Sequence, residues 1–335
     1  MTTRREALLA LPLICGQSIV CAQAPTGMAP RRMGEFAIWP DSPTPREHRP
    51  LYVALREKGW TLGQNLTIEP AYANWNAAQL DALAQELVRK KVDVIVCWSD
   101  APSVAAARAT RTIPIVFNNG FFVVELGVVD SDSRPGRNAT GLGFYAGLDV
   151  AFKRLGFLRE LVPTARRLSW VFGEAAETVA GVRFDQAAVL RPPAESLGFE
   201  TRFHLFSAPQ QVEAVFEEII AWRAEVVMAI GAPVFVARKR FAELLLRNGL
   251  PSAFVSRENV QAGGLLSYGP GPPDAKYRQA RFVDYLDRVL RGTPPAELPV
   301  ERPRRYDFAL NLKTAKSLDL AVPRSMILSA DELIQ

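Results

Sequence analysis

Residues 92–120 read VDVIVCWSDAPSVAAARATRTIPIVFNNG. The segment 92–98 is dominated by Val and Ile, the composition of a strand buried on both faces of a parallel sheet. Ser99, Asp100 and Pro102 break that run, and Ser99 or Asp100 is placed to N-cap an Ala-rich helix over 103–110. Pro114 opens a second apolar run, 115–117, which Asn118-Asn119-Gly120 ends. The stretch is a βαβ unit whose two strands both end in small polar turns. Open parallel sheets bind ligands outside the carboxyl ends of their strands. Residues 98–103 and 117–121 are therefore expected to form one wall of a ligand cleft.

The same alternation extends to either side. Upstream, the pattern predicts strands over 33–39 and 66–72 and helices over 46–59 and 77–91, the latter with Leu80, Leu83, Ala84 and Leu87 at helical spacing. Downstream, it predicts a short helix over 121–129 and a strand over 139–144. The alternation then restarts: helices over 149–161, 175–197 (interrupted at Pro192-Pro193), 210–222 and 234–248, and strands over 167–172, 199–205, 225–230 and 251–255. Two consecutive runs of this kind imply two doubly wound, parallel-sheet α/β lobes. The tail (strand 263–268, helix 275–290, linker 292–295, strand 305–310, helix 312–318) is too short for a third domain and is expected to return the chain to the two lobes. The expected division is 31–145 plus about 256–290 for the first lobe, and 146–255 plus about 300–335 for the second.

The chain has 335 residues, 48% hydrophobic and 22% charged, with a formal charge of +5. Its charges are interspersed, with no Lys/Arg run, so a nucleic-acid surface is not expected. Thr3-Arg4-Arg5 precedes an apolar segment that ends Ala22-Gln23-Ala24. This reads as a signal peptide over 1–24, exported by Sec or Tat. No other stretch is long and apolar enough to cross a bilayer. Cys15 and Cys21 fall in the signal without a lipobox, which leaves Cys97, expected as a buried, inert thiol.

Catalytic and cofactor motifs are missing. Gly141-Leu142-Gly143 with Gly147 has the wrong spacing for a dinucleotide fingerprint and reads as a hinge or turn. His48 and His204 stand apart with no metal-ligand spacing around them, and neither a nucleophile elbow nor a phosphate-binding loop occurs. No cofactor and no metal are expected. Instead, aromatic and polar residues collect after the predicted strands: Trp39, Asp41 and Ser42; Trp98, Ser99 and Asp100; Asn118 and Asn119; Phe144 and Tyr145; Gly231; Ser256 and Arg257; Tyr268. Such a cleft stacks a small molecule on aromatic rings and fixes it with hydroxyls, amides and helix N-termini. In it, Asp100 or Asp41 is expected to pair a ligand ammonium, and Arg257 a carboxylate.

Several ordered landmarks resemble one known family. They include Gly59-Trp60 through Gly63-Gln64-Asn65, Lys91-Val92-Asp93-Val94-Ile95-Val96, Thr112-Ile113-Pro114-Ile115-Val116-Phe117 and Arg134-Pro135-Gly136. Ala262-Gly263-Gly264-Leu265-Leu266-Ser267-Tyr268-Gly269, Leu298-Pro299-Val300-Glu301 and Asn311-Leu312-Lys313-Thr314-Ala315-Lys316 continue the series. On these the chain resembles the ABC transporter substrate-binding family that includes tryptophan- and tyrosine-binding members. The resemblance implies a type I periplasmic-binding-protein fold: two lobes joined by a hinge of three crossings, closing on a ligand, without catalysis. It implies a periplasmic, monomeric protein that delivers a small molecule, an amino acid or an aromatic metabolite, to an inner-membrane ABC permease. Trp98-Ser99-Asp100 and Phe121-Phe122-Val123 depart from the family's usual residues at the expected wall. Two other readings use the same cleft: an exported α/β enzyme, and a ligand-sensing domain for a membrane partner.

Overall fold

The computed structural model describes residues 28–144, 148–172 and 186–335. The predicted signal peptide, Tyr145 and the first part of the helix expected over 175–197 lie outside the described residues.

The first sheet contains β1 (Arg31–Ala37), β2 (Leu66–Tyr72), β3 (Val94–Cys97), β4 (Ile115–Gly120) and β5 (Ala139–Gly143), all parallel, in the order β2-β1-β3-β4-β5. The period-2 rule decides which side chain goes where. In β3, Val94 and Val96 enter the core shared with α1 (Pro50–Glu57), whereas Ile95 and Cys97 enter the core under α2 (Leu80–Arg89) and α3 (Asp100–Ala109). All four are fully buried, which explains why the run is apolar at every position. Burying each Val or Ile side chain contributes roughly 1.5–3 kcal/mol.

The second sheet is larger. It comprises β6 (Arg167–Phe172), β7 (Glu200–Leu205), β8 (Val226–Ile230), β9 (Ser252–Phe254), β10 (Leu266–Pro270), β11 (Tyr306–Asn311) and β12 (Glu332–Ile334), in the order β12-β11-β10-β9-β8-β6-β7. Its pairings are parallel except that of β10 with β11. One face packs on α4 (Leu148–Leu161) and α5 (Gln186–Ser196) through Leu155, Leu158, Leu190 and Ala194. The other packs on α6 (Val212–Ala221) and α8 (Arg238–Arg247) through Val215, Phe216, Phe241 and Leu245. The short α7 (Ala232–Val236) leads into α8, so the helix expected over 234–248 is broken at Ala237.

Three connections join the lobes. The chain leaves the first sheet between β5 and α4. It returns between β10 and α10 (Pro272–Leu290), whose Phe282, Leu286 and Val289 pack in the core with α1. It crosses again before β11, where Glu301 forms a bridge to Leu142 and Arg302 holds Asp132 through both carboxylate oxygens at 2.8 and 2.9 Å.

Several expectations are corrected. Residues 121–129 are not a helix but a series of turns. Their apolar spacing looks helical, yet the Asp100 carboxylate takes the Phe121 and Phe122 N–H groups and Gly127 adopts φ +67°. Pro192 and Pro193 do not interrupt α5, which runs through them with Leu190 and Ala194 buried. Of the segment 256–290 assigned to the first lobe, α9 (Arg257–Gln261) and β10 belong with the second sheet, because β10 pairs there with both β9 and β11. Only α10 returns to the first. The sequence pattern also gives no sign of α12 (Arg324–Ser329) and β12, which end the second lobe after α11 (Leu312–Ser317).

Candidate functional site

The carboxyl ends of both sheets face one cavity of about 620 Å³. Its first-lobe wall comes from the residues that follow the strands. Trp39 follows β1, Trp75 follows β2, Trp98, Ser99 and Asp100 follow β3, Asn119 sits at the end of β4, and Phe144 follows β5. Trp39 and Trp75 lie 6.5 Å apart at 48°, and Phe121 lies 5.0 Å from Phe144 at 42°. Trp75 and Asn119 take φ of +65° and +61°, in the left-handed region that non-glycine residues seldom adopt. The opposite wall is built by Trp170 and Phe172 of β6, Met228 and Ile230 of β8, and Val255 and Ser256 after β9. Leu190 of α5 and Arg154 of α4 complete it, with Phe235 and Val236 at the half-exposed rim. Gly231 turns the chain from β8 into α7 at φ +117°, a backbone state that only glycine adopts easily.

Ten of the residues expected at the cleft line this cavity: Trp39, Asp41, Ser42, Trp98, Ser99, Asp100, Asn119, Phe144, Gly231 and Ser256. Asn118, Arg257 and Tyr268 do not. Asn118 is half-buried in β4 outside the lining. Arg257 forms an ion pair with Glu332 of β12, an element without a local sequence signal. Tyr268 stacks on Tyr306 at 5.7 Å and meets Phe157 edge-on at 5.9 Å, held there by the pairing of β10 with β11. Tyr145 lies outside the described residues.

The two acids among the described lining residues are engaged in the fold. Asp41 accepts from Arg46 at 2.7 Å, and its other oxygen meets Arg49 at 2.9 Å and the Ser42 N–H at 2.8 Å. Partial burial works to raise its pKa, but the Tyr72 hydroxyl and both guanidiniums hold it below the ordinary value. Behind this pair, buried Glu35 accepts from Tyr52 at 2.7 Å and from Arg46 at 3.2 Å. Asp100 is buried at the first residue of α3, and its oxygens accept from Phe121 N at 2.9 Å and Phe122 N at 3.2 Å. Burial pushes its pKa up to about 7, opposed by those two backbone bonds. The expectation that Asp100 or Asp41 pairs a ligand ammonium is therefore not supported: each carboxylate closes the first-lobe structure instead. Ser99 occupies the N-cap of α3, but its hydroxyl makes no capping bond and has no partner among the described residues.

Cys97 is buried under this wall, and burial pushes its thiol above the ordinary value. His204 is buried between Ser169 at 3.0 Å and Glu218 at 3.1 Å and does not line the cavity. Among the described residues, no group of three or more His, Cys, Asp and Glu side chains is arranged to hold a metal ion. No described helix is long and apolar enough to cross a membrane.

Sequence reasoning missed Trp75, Arg154, Trp170, Phe172, Leu190 and Met228. Trp75 stands between Asn74 and Asn76 in the turn after β2, a signal present in the sequence, whereas Arg154, Trp170, Phe172, Leu190 and Met228 lie within helices and strands and carry no turn signature. Pairing of the lobes brings them to the wall.

Two α/β lobes that turn the carboxyl ends of their sheets onto one shared cavity define a solute-binding protein of the type I periplasmic-binding-protein fold. The chain belongs to the ABC transporter substrate binding protein family, whose model matches residues 48–334. It is 23% identical over 267 residues to a tyrosine-binding protein of Clostridioides difficile, covering 80% of this chain and 74% of that one. Among solved structures, a conserved domain protein of Vibrio cholerae superposes with a TM-score of 0.74 at 23% identity, covering 90% and 99% of the two chains. A domain from Streptococcus pneumonia in complex with L-Trp also reaches 0.74, at 16% identity, covering 91% and 100%. A solute-binding protein from Bacillus halodurans with bound myo-inositol reaches 0.55 at 13% identity, covering 87% and 98%. The protein is thus a substrate-binding component of an ABC transporter, with a small-molecule ligand and a permease as its partners.

Proposed function

We propose that the protein is a periplasmic receptor, exported by Sec or Tat and cut after Ala24, that captures a small aromatic solute as a monomer and passes it to an inner-membrane permease. The observation that carries this reading is the composition of the inter-lobe cavity. Four tryptophans (Trp39, Trp75, Trp98 and Trp170) and four phenylalanines (Phe121, Phe122, Phe144 and Phe172) contribute to its walls, with Phe235 at the rim. A planar ligand between two such walls gains apolar burial together with ring-on-ring contacts of about 0.5–1.5 kcal/mol each. Lobe closure then excludes water and raises the strength of the few polar contacts. The expected affinity is micromolar or tighter, about −8 kcal/mol or better.

Thermal-shift screening of the mature chain against sugars, polyols, amino acids and aromatic acids, followed by isothermal titration of the hits, tests the proposal. It predicts a single-site, aromatic hit. Saturable binding only of sugars or polyols refutes the aromatic assignment, and a folded chain that binds nothing in the panel counts against capture itself.

A further inference from the structure

We infer that Asn119 is a specificity-determining residue of the cavity, and that its side-chain amide pairs with a ligand edge carrying a hydrogen-bond donor beside an acceptor, as a lactam or a primary carboxamide does. This inference rests on the receptor reading above and specifies the polar edge of its aromatic ligand.

β4 and β5 pair in register from Ile115 with Ala139 to Asn118 with Leu142, and pairing resumes at Gly120 with Gly143. Asn119 is the extra residue between, a bulge at φ +61°. Asparagine adopts this left-handed state more readily than most other non-glycine residues, which suits it to the position. Bulges are rare in parallel pairs, and next to functional sites they re-aim a side chain. Here the alternation of β4 shows what is re-aimed. Ile115 and Phe117 enter the core under α2 and α3, and Val116 enters the core shared with α1. Strict alternation would send Asn119 after Phe117, into an apolar core where an amide finds no hydrogen-bond partner. The bulge removes it from that path. Asn119 is half-buried and lines the inter-lobe cavity.

The amide held there is available. It makes no hydrogen bond with the described residues, and its atoms are not among the sealed polar atoms of the interior. A primary amide presents N–H donors and a carbonyl acceptor in one plane. A ligand carboxylate would engage only the donors, and a ligand ammonium only the acceptor. Closure of the lobes then leaves the other end of the amide buried and unpaired, which costs affinity. An edge with a donor beside an acceptor engages both ends in one planar, two-bond pair, the geometry by which asparagine reads the edge of adenine. The rings of Trp39, Trp75, Trp98 and Trp170 on the cavity walls suit the flat body to which such an edge belongs.

Matched pairs on two ring sizes provide the test, by isothermal titration of the mature chain. One pair is 2-quinolone and N-methyl-2-quinolone; the other is 2-pyridone and N-methyl-2-pyridone. Methylation removes the donor and keeps the ring. On whichever ring binds, the lactam is expected to bind about tenfold tighter than its N-methyl partner. Equal binding of the two overturns the inference and leaves the receptor reading standing. If all four are silent while another solute class binds, the inference fails alone; if nothing binds, both fail. Asn119→Gly removes the amide and suits the backbone at φ +61°, so its urea midpoint is expected to be no lower than that of the wild type. In this variant the lactam is expected to lose about tenfold in affinity, and its advantage over the N-methyl partner to fall below about threefold. A lactam that keeps its wild-type affinity or its full advantage is read by another residue, and the inference is contradicted. Should Asn119→Gly not fold, Asn119→Asp keeps the shape and sets an oxygen against the lactam carbonyl in place of the N–H donor. It is expected to weaken the lactam about tenfold; unchanged affinity refutes the pairing.

Discussion

Replacing Asp100 by asparagine removes a buried charge while leaving an oxygen for the Phe121 and Phe122 N–H groups. The carboxyl has an ordinary value of 3.8, and burial raises it to about 7 in the folded chain. The folded state therefore holds this proton more tightly than the unfolded state. Stability from this group is fully present below about pH 4 and is lost as the pH rises through about 7. Each pH unit in that window removes about 1.4 kcal/mol, so about 4 kcal/mol separates the two ends. The substituted amide does not titrate, and the other ionisable groups largely cancel in a comparison of the two proteins. Urea unfolding at half-unit steps from pH 4.5 to pH 8 measures the difference directly. Asp100→Asn is expected to be equal to the wild type, or about 1 kcal/mol less stable, at the acid end, and more stable than it near pH 8. Two stability curves that run parallel across this range would refute the reasoning, because they would mean that Asp100 ionises in the fold as it does in water.

Further expectations follow from single sites. Trp75→Ala removes one of the paired rings on the wall and is expected to weaken ligand binding at least tenfold, about 1.4 kcal/mol, with a small effect on unfolding, since Trp75 lies on a half-buried loop; titration calorimetry and chemical denaturation separate the two. Gly141→Ala forces a Cβ to 2.0 Å from the Phe117 carbonyl oxygen at φ +152° and is expected to destabilise the first lobe by about 3 kcal/mol or more, read by urea unfolding. Cys97 in the mature chain is expected to resist iodoacetamide at pH 8 for hours and to react within minutes in denaturant, followed by mass spectrometry.

Much of the fold is readable because its strands state their burial in composition. Leu66–Tyr72 and Arg167–Phe172 appear where the apolar patterns put them, and Val94–Cys97 is short, branched and buried on both sides. The failures have identifiable causes. Residues 121–129 carry helical spacing, yet one carboxylate 21 residues earlier captures their first N–H groups. That long-range bond leaves no local trace. β12 is three residues long and depends on β11 for its pairing, so no local pattern announces it; with it goes the true partner of Arg257, Glu332. The cavity is partly legible because the topology of parallel sheets places residues after strands on one edge. What that rule cannot reach is the contribution of positions inside elements. Arg154 in α4 and Trp170 in β6 reach the wall only because the second lobe faces the first. The rule also says nothing about commitment: Asp41 and Asp100 sit at the wall but are bound by neighbours that only the folded chain assembles.

The central claim is that a small aromatic solute is captured between the two lobes. A crystal structure of the mature chain with the tightest ligand found by titration tests it most directly. The account predicts ligand density in the inter-lobe cavity, its ring between Trp75 of the first lobe and Trp170 of the second. Ligand density on an outer surface, with the inter-lobe cavity holding only water, would contradict it.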